Sequence, residues 1–236
     1  MVSIKKTINK LTLDEKISLL TGFNSWYSNK IPRLKIPSMK MSDGPNGVRG
    51  DSTSGKSSAC FPCPISLGST WNKELINKIG IALGQEALDK DVDVLLGPTI
   101  NLHRHPLGGR HFENFSEDPV LTGEIAVAYV KGVQSKKVSA CLKHFVANDT
   151  EFERHTVSSN LDERTLREIY LLPFEMGIKK AKAKSVMSAY NKLNNIYCSS
   201  NKDLLIDILK KEWGFDGYVV SDWGAALETV DNATGG

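Results

Sequence analysis

Asp222 closes the run Gly217-Tyr-Val-Val-Ser-Asp-Trp-Gly224. An apolar run of this length bounded by Gly reads as a buried strand. A carboxylate at the carboxyl end of such a strand stands where α/β sheets place their chemistry. Asp is also a favoured helix N-cap, and this segment alone leaves both readings open. Other residues capable of chemistry fall in comparable places: Asp43 in Ser42-Asp-Gly-Pro45, Arg110 after Gly108-Gly109, the pair Lys143-His144, and Tyr190. All lie at or just beyond expected strand ends and none at a strand beginning. Arg154 sits in the polar loop that follows Lys143-His144, and Trp223 follows Asp222 directly. Each has a plain structural reading as well: a turn residue for Asp43, a surface Arg paired with Glu151 or Glu153 for Arg154, a packed aromatic for Tyr190 and Trp223.

The elements that must position these residues alternate. Thr12 and Glu15 form a capping box ahead of an apolar stripe at Ile17, Leu19 and Leu20, and Gly22 ends that helix. Strands are expected over 37–41, 92–96, 138–142 and 185–190 and in the run ending at Asp222, with a further one near 65–68. Helices are expected over 72–90, from Asp118-Pro119 to 134, over 162–181 and over 202–213, Pro119 suiting a first helical turn. This βαβα rhythm argues for a parallel sheet covered by helices. Polar residues gathered at the strand ends favour a (β/α) barrel, whose strand ends converge on one face, over a doubly wound sheet with one switch point. No Gly-x-Gly-x-x-Gly follows the first strand and no P-loop occurs, so nucleotide binding has no support.

The 236 residues are 40% hydrophobic and 24% charged, as in an ordinary soluble globular protein. A net charge of +3 without basic clusters argues against nucleic acid or an anionic membrane surface as partner. No stretch reaches the length of a membrane span, and the first residues carry no apolar signal region, so a cytoplasmic location is expected. Cys60-Phe-Pro-Cys63 has the spacing of a redox pair or half a zinc site, but no second ligand pair accompanies it, and packed thiols are expected for the four cysteines.

Five segments in order resemble glycoside hydrolase family three, the β-glucosidase and β-xylosidase family: Ser42-Asp-Gly-Pro-Asn-Gly-Val-Arg49, Gly108-Gly-Arg-His-Phe-Glu-Asn-Phe-Ser-Glu-Asp-Pro119, Lys143-His-Phe145 with Arg154 downstream, Met187-Ser-Ala-Tyr-Asn191, and Val219-Val-Ser-Asp-Trp-Gly224. The resemblance runs from about Leu11 to Leu227. It implies a (β/α)8 barrel of the TIM type and a retaining hydrolysis in which Asp222 is the nucleophile. A second, protonated carboxyl then stands about 5–5.5 Å away. Asp222 must act ionised, so neighbouring cations and donors are expected to hold its pKa low. The resemblance further implies that Asp43, Arg110, Lys143, His144 and Arg154 hold a terminal β-D-glucosyl unit, with Lys143 and His144 as donors to its hydroxyls. Tyr190 and Trp223 would shape the site. No metal or organic cofactor is called for, because carboxyl groups perform both the attack and the proton transfer.

Departures from the family pattern bear on activity. The segment after Lys143 lacks the Gly-rich, His-containing loop of the family's N-acetylglucosaminidases. In the β-glucosidase-like members the acid/base Glu comes from a downstream α/β domain, and this sequence stops 14 residues after Asp222. About six strands are expected where a closed barrel needs eight. The expectation is therefore a single N-terminal barrel domain over 1–236, incomplete at its carboxyl end and open to a complementing segment or a second copy. Two alternatives remain: a non-catalytic barrel that binds sugar or a partner chain, and a β-xylosidase or glycoside phosphorylase on the same scaffold.

Overall fold

The computed structural model describes residues 4–50, 56–226 and 232. Among the described residues, eight short strands form two sheets. The main sheet contains β1 (Met41–Asp43), β2 (Val94–Leu96), β3 (Ser139–Phe145), β5 (Ser185–Ser188) and β8 (Tyr218–Ser221), all parallel and neighbours in chain order. A small second sheet joins β4 (Ser158–Ser159), β6 (Lys192–Leu193) and β7 (Ile196–Tyr197). Parallel strands that never skip a neighbour are the winding of a barrel, and here they make a curled half-barrel sheet.

Helices connect the strands. Between β1 and β2 lie α3 (Pro64–Gly68) and α4 (Lys73–Asp89), and between β2 and β3 lies α5 (Pro119–Gln134). Between β3 and β5 the chain runs through α6 (Glu163–Thr165), a π-helical turn at Leu166–Tyr170 and α7 (Leu172–Ala181). A π-helical segment, Asp203–Glu212, precedes β8. Local chemistry sets the starts: Asn72 accepts from Leu75 N at 2.9 Å, and Asp118 accepts from Val120 N and Leu121 N, with Pro119 in the first turn. Gly80 and Gly132 let α4 and α5 touch through their backbones. A Cβ on Gly132 would lie 2.4 Å from Asn77 O and 2.8 Å from Gly80 Cα.

Alternation along the strands gives the sheet two faces. Leu95, Ala140, Leu142 and Val186 belong to the large core that packs against the helices. Val94, Leu96, Cys141 and Met187 form a separate inner cluster, against which Met41, Tyr218, Val220, Trp26 and Trp223 pack. The two-residue period that puts Met41, Cys141 and Val220 inside also puts Asp43, Lys143 and Asp222 on the inner face, one step further toward the strand ends.

Several expectations are corrected. The segment near 65–68 is the helix α3 rather than a strand, because Pro64 begins a helical turn after Cys63. The main sheet therefore has five strands among the described residues, and a complete eight-stranded barrel is not what they form. The first strand lies at Met41–Asp43 rather than 37–41, and β3 continues through Lys143 and His144 instead of ending before them. The capping box is present, with Glu15 N donating to Thr12 Oγ1 and Thr12 N to Glu15 Oε2, on the helix α2 (Leu13–Leu19) that follows the short α1 (Ile4–Ile8). Its apolar stripe is not buried, however: Ile17 and Leu20 are exposed. Cys60 and Cys63 are exposed rather than packed, whereas Cys141 and Cys198 are buried. No helix among the described residues is long and apolar enough to cross a membrane. Except for Asn232, the final stretch 227–236 lies outside the described residues, as do Met1–Ser3.

Candidate active site

Asp43, Arg110, Lys143, His144, Arg154, Tyr190, Asp222 and Trp223 all line one cavity of about 380 Å³ at the carboxyl ends of the strands. Ser25, Trp26, Leu96 and Met187 complete its wall. Asp43 and Lys143 come from β1 and β3 on either side of β2, and Lys143 Nζ donates to Asp43 Oδ1 at 3.0 Å. Burial pushes the Asp43 carboxyl up, but the Lys143 ammonium and the Arg49 guanidinium outweigh it and hold the pKa below its ordinary value.

His144 follows Lys143 within β3, yet both side chains face the cavity. Regular alternation is interrupted there by a register shift between Leu142 and Phe145, and the Lys143–His144 peptide is cis. Asn101 holds the imidazole: its Oδ1 accepts from His144 N at 2.9 Å and lies 3.2 Å from Nδ1, and its Nδ2 donates to His144 O. On the other side Arg110 Nη2 stands 3.2 Å from His144 Nε2. A guanidinium can only donate, so Nε2 accepts and the ring proton sits on Nδ1. Burial, reinforced by Arg110, Lys143 and Arg154, drives the imidazole pKa well below its ordinary value. His144 is therefore neutral, and its 3.5 Å approach to Asp222 Oδ2 is not an ion pair. With Nδ1–H committed to Asn101 and the Nε2 lone pair to Arg110, His144 gives the cavity no free ring donor in this arrangement and instead orients Arg110.

Asp222 lies one residue past β8, its amide donating to Ser188 O at 3.1 Å. Oδ1 accepts from Trp223 N at 2.8 Å, a local bond of the kind that favours Asp at a turn, and Oδ2 faces His144. Burial raises the carboxyl pKa above its ordinary value, although the Trp223 amide, Lys143, Arg110 and Tyr190 all pull it down. This departs from the expected low pKa. The cations are present, but desolvation in a site where Asp222 is only 8% exposed outweighs them. The Tyr190 hydroxyl donates to Trp223 O at 2.7 Å, and its pKa is pushed up to about 12, by burial first and the Asp222 charge next.

The two arginines arrive on loops. Arg110 Nε donates to the buried Glu113, whose other oxygen accepts from Thr99 Oγ1 at 2.9 Å. Arg154 Nη1 donates to Glu151 Oε2 at 2.6 Å, and its guanidinium lies 4.4 Å from the centre of the Tyr190 ring. Trp223 packs on Trp26 with ring centroids 5.6 Å apart, and its Nε1 donates to Ser25 O. Trp26 is a wall residue that the strand-end pattern misses, because it sits on a loop folded by Asn24, whose Oδ1 accepts from Trp26 N and Tyr27 N. Its legible signal is an Asx-type turn at Asn24 among three aromatics, Phe23, Trp26 and Tyr27, between Gly22 and Ser28, which pair across the loop.

Comparison with known proteins places this geometry in a family. The model of the "Glycosyl hydrolase family 3 N terminal domain" matches residues 12–234. A curated beta-glucosidase of Rhizobium radiobacter is 54% identical over 235 residues, which are 99% of this chain and 29% of that protein. The solved beta-glucosidase of Kluyveromyces marxianus in complex with glucose is 45% identical at a TM-score of 0.97, covering 100% of this chain and 28% of that one. Beta-glucosidase 3B from Thermotoga neapolitana in complex with glucose gives 45% identity and a TM-score of 0.93 over 98% of this chain and 35% of that one. The chain thus spans about a third or less of the length of these relatives. With the match over 12–234 and identity near one half across the whole chain, it belongs to glycoside hydrolase family 3, through that family's N-terminal domain.

Proposed function

We propose that the cavity holds a terminal, non-reducing β-D-glucosyl unit and that Asp222 attacks its anomeric carbon in a retaining hydrolysis. The observation that carries this reading is the convergence of one buried carboxylate and four basic side chains, Arg110, Lys143, His144 and Arg154, on a single small-molecule-sized cavity. Relatives named beta-glucosidases, two of them solved with glucose, support the substrate class.

In this mechanism Lys143, Arg110 and Arg154 give charge-assisted hydrogen bonds to sugar hydroxyls, while Asp43 accepts and His144 holds Arg110 in place. Such bonds contribute roughly 1.5–3 kcal/mol each. Trp223, backed by Trp26, offers an apolar ring face. The Trp223 amide fixes the rotamer of Asp222 through Oδ1. A covalent glycosyl-enzyme forms on the carboxylate, and water then releases the sugar with net retention.

The leaving oxygen needs a proton, and the carboxyls around the cavity are otherwise engaged. Asp43 is held by Lys143, Glu113 by Arg110 and Thr99, and Glu151 by Arg154 and Asn148. We therefore place the acid/base outside these groups, on further polypeptide that approaches the open side of the cavity. A second hollow of about 690 Å³, lined by Met41 of β1, by Tyr218 to Ser221 of β8 and by Leu19 to Gly22 with Asn24 to Ser28, supports completion of the curled sheet by additional chain.

An aryl β-glucoside with a good leaving group tests the reading, since it needs little acid assistance. Slow turnover or a burst by the purified chain, lost in Asp222→Ala, is expected. Glucose binding without any turnover of that substrate would favour a sugar-binding module instead.

A further inference from the structure

We propose that Glu151 is a positioning residue that locks the two cavity arginines into one rigid pair. The proposal rests on the sugar-binding reading of the cavity for its functional consequence, though not for its geometry. Arg110 and Arg154 lie on separate loops, after β2 and after β3, where neither strand holds them. Glu113 and Thr99 already anchor Arg110 from the buried side. Among the described residues, Arg154 has its carboxylate partner in Glu151.

Glu151 reaches both arginines with different oxygens. Oε2 accepts from Arg154 Nη1 at 2.6 Å, and Oε1 lies 3.6 Å from Arg110 Nη1 while accepting from Asn148 Nδ2 at 3.0 Å. The anchored position of Arg110 is thereby passed on to Arg154, which covers the Tyr190 ring beside Asp222. Two guanidiniums at a fixed separation match a set of hydroxyls on one ring only in certain orientations, so this bridge would select the pose as well as add affinity.

The neighbouring backbone is shaped for this side chain. Glu151 N donates to Gly108 O at 2.9 Å, which pins the residue to the loop before Arg110. Gly109 has φ +95°, and a Cβ placed there would come within 2.9 Å of Glu151 Cβ. Only glycine both adopts that conformation readily and leaves the carboxylate room to pass.

The test uses the chain in four forms: unaltered, Glu151→Gln, Glu151→Asp and Gly109→Ala. Side-chain ¹⁵N spectra of the arginines, recorded without sugar, report whether each guanidinium is held. D-glucose titrations followed by tryptophan fluorescence report affinity, because Trp26 and Trp223 line the cavity. In Glu151→Gln, Arg154 is expected to lose its restricted rotation while Arg110 keeps it, and glucose is expected to bind roughly 10-fold or more weakly. Thermal unfolding of each form is recorded alongside, so that a change in affinity is read only from folded variants. Glu151→Asp should recover part of the affinity, and Gly109→Ala should copy the Gln variant with the charge intact.

An unchanged Arg154 signal in Glu151→Gln would overturn the proposal, as would a released Arg154 with unaltered glucose affinity. If the unaltered chain binds no glucose while Arg154 is still released in the variant, the sugar-binding reading fails and the bridge stands.

Discussion

Lys143 and Asp43 stand 100 residues apart in sequence, yet Nζ donates to Oδ1 across 3.0 Å, over the end of the strand between them. The bond forms because period-two alternation points both side chains to the inner face, and the long Lys143 side chain reaches back from about two residues beyond the level of Asp43, which registers with Leu96. Lys143 is almost fully buried and Asp43 partly so. Removing the ammonium leaves a half-buried carboxylate without its main counter-charge.

Lys143→Met is therefore expected to destabilise the fold by about 2 kcal/mol at neutral pH. Asp43 has a lowered pKa in the folded chain, so its contribution is present above the unfolded value of 3.8 and is lost as pH falls through the folded one. Urea unfolding of variant and unaltered chain should show the gap narrowing below pH 3.8.

Asp222 has the opposite sign. Its folded pKa is raised, so the folded chain binds that proton more tightly than the unfolded chain does, and the charge costs stability above pH 3.8. Asp222→Asn keeps the acceptor for Trp223 N and removes the buried charge. A higher Tm at pH 7, with the difference disappearing toward acid pH, is expected alongside loss of turnover. The same raised pKa places the acid limb of any activity profile above the ordinary aspartate range.

His144 should remain neutral from pH 6.5, the ordinary imidazole midpoint, up to pH 8, protonated on Nδ1, because burial and the surrounding cations lower its pKa. Long-range ¹H–¹⁵N correlation spectra should show a pyrrole-type Nδ1 and a pyridine-type Nε2 that do not titrate across that window. An imidazolium signal appearing near pH 6.5 would mean that Arg110 does not donate to Nε2.

Gly132→Ala probes the helical layer. The new Cβ would collide with Asn77 O and Gly80 Cα, so α4 and α5 must move apart. Overpacking of this kind costs about 1–3 kcal/mol. Chemical denaturation should show that loss, with glucose affinity preserved because the cavity lies on the other face of the sheet.

Much of the site was legible because a strand exposes chemistry at its end. Asp43, Lys143, Asp222 and Tyr190 follow from apolar runs that stop on a polar residue, and the structure brings all four to one cavity. The long helices over Lys73–Asp89 and Pro119–Gln134 were equally clear, since Asn72 and Asp118 cap them and Pro119 starts the second. Local sequence said less where tertiary contacts decide. Pro64-Ile-Ser-Leu-Gly68 has a strand-like pattern but coils against residues 111–115, with Gly68 meeting the backbone of Phe115. Trp26 and Glu151 gave no strand-end signal, because one lies on an early loop and the other acts through two arginines. The pKa of Asp222 depends on a balance between burial and charge that residue types alone do not fix.

Identification of the residue that forms the glycosyl-enzyme tests the central claim most directly. The chain is incubated with 2-deoxy-2-fluoro-β-D-glucosyl fluoride, whose leaving group needs no acid, and is then analysed by intact and peptide mass spectrometry. A single fluoroglucosyl adduct on the peptide carrying Asp222, absent in Asp222→Asn, is expected. An adduct on any other residue, or none while the cavity still binds glucose, would contradict Asp222 as the nucleophile.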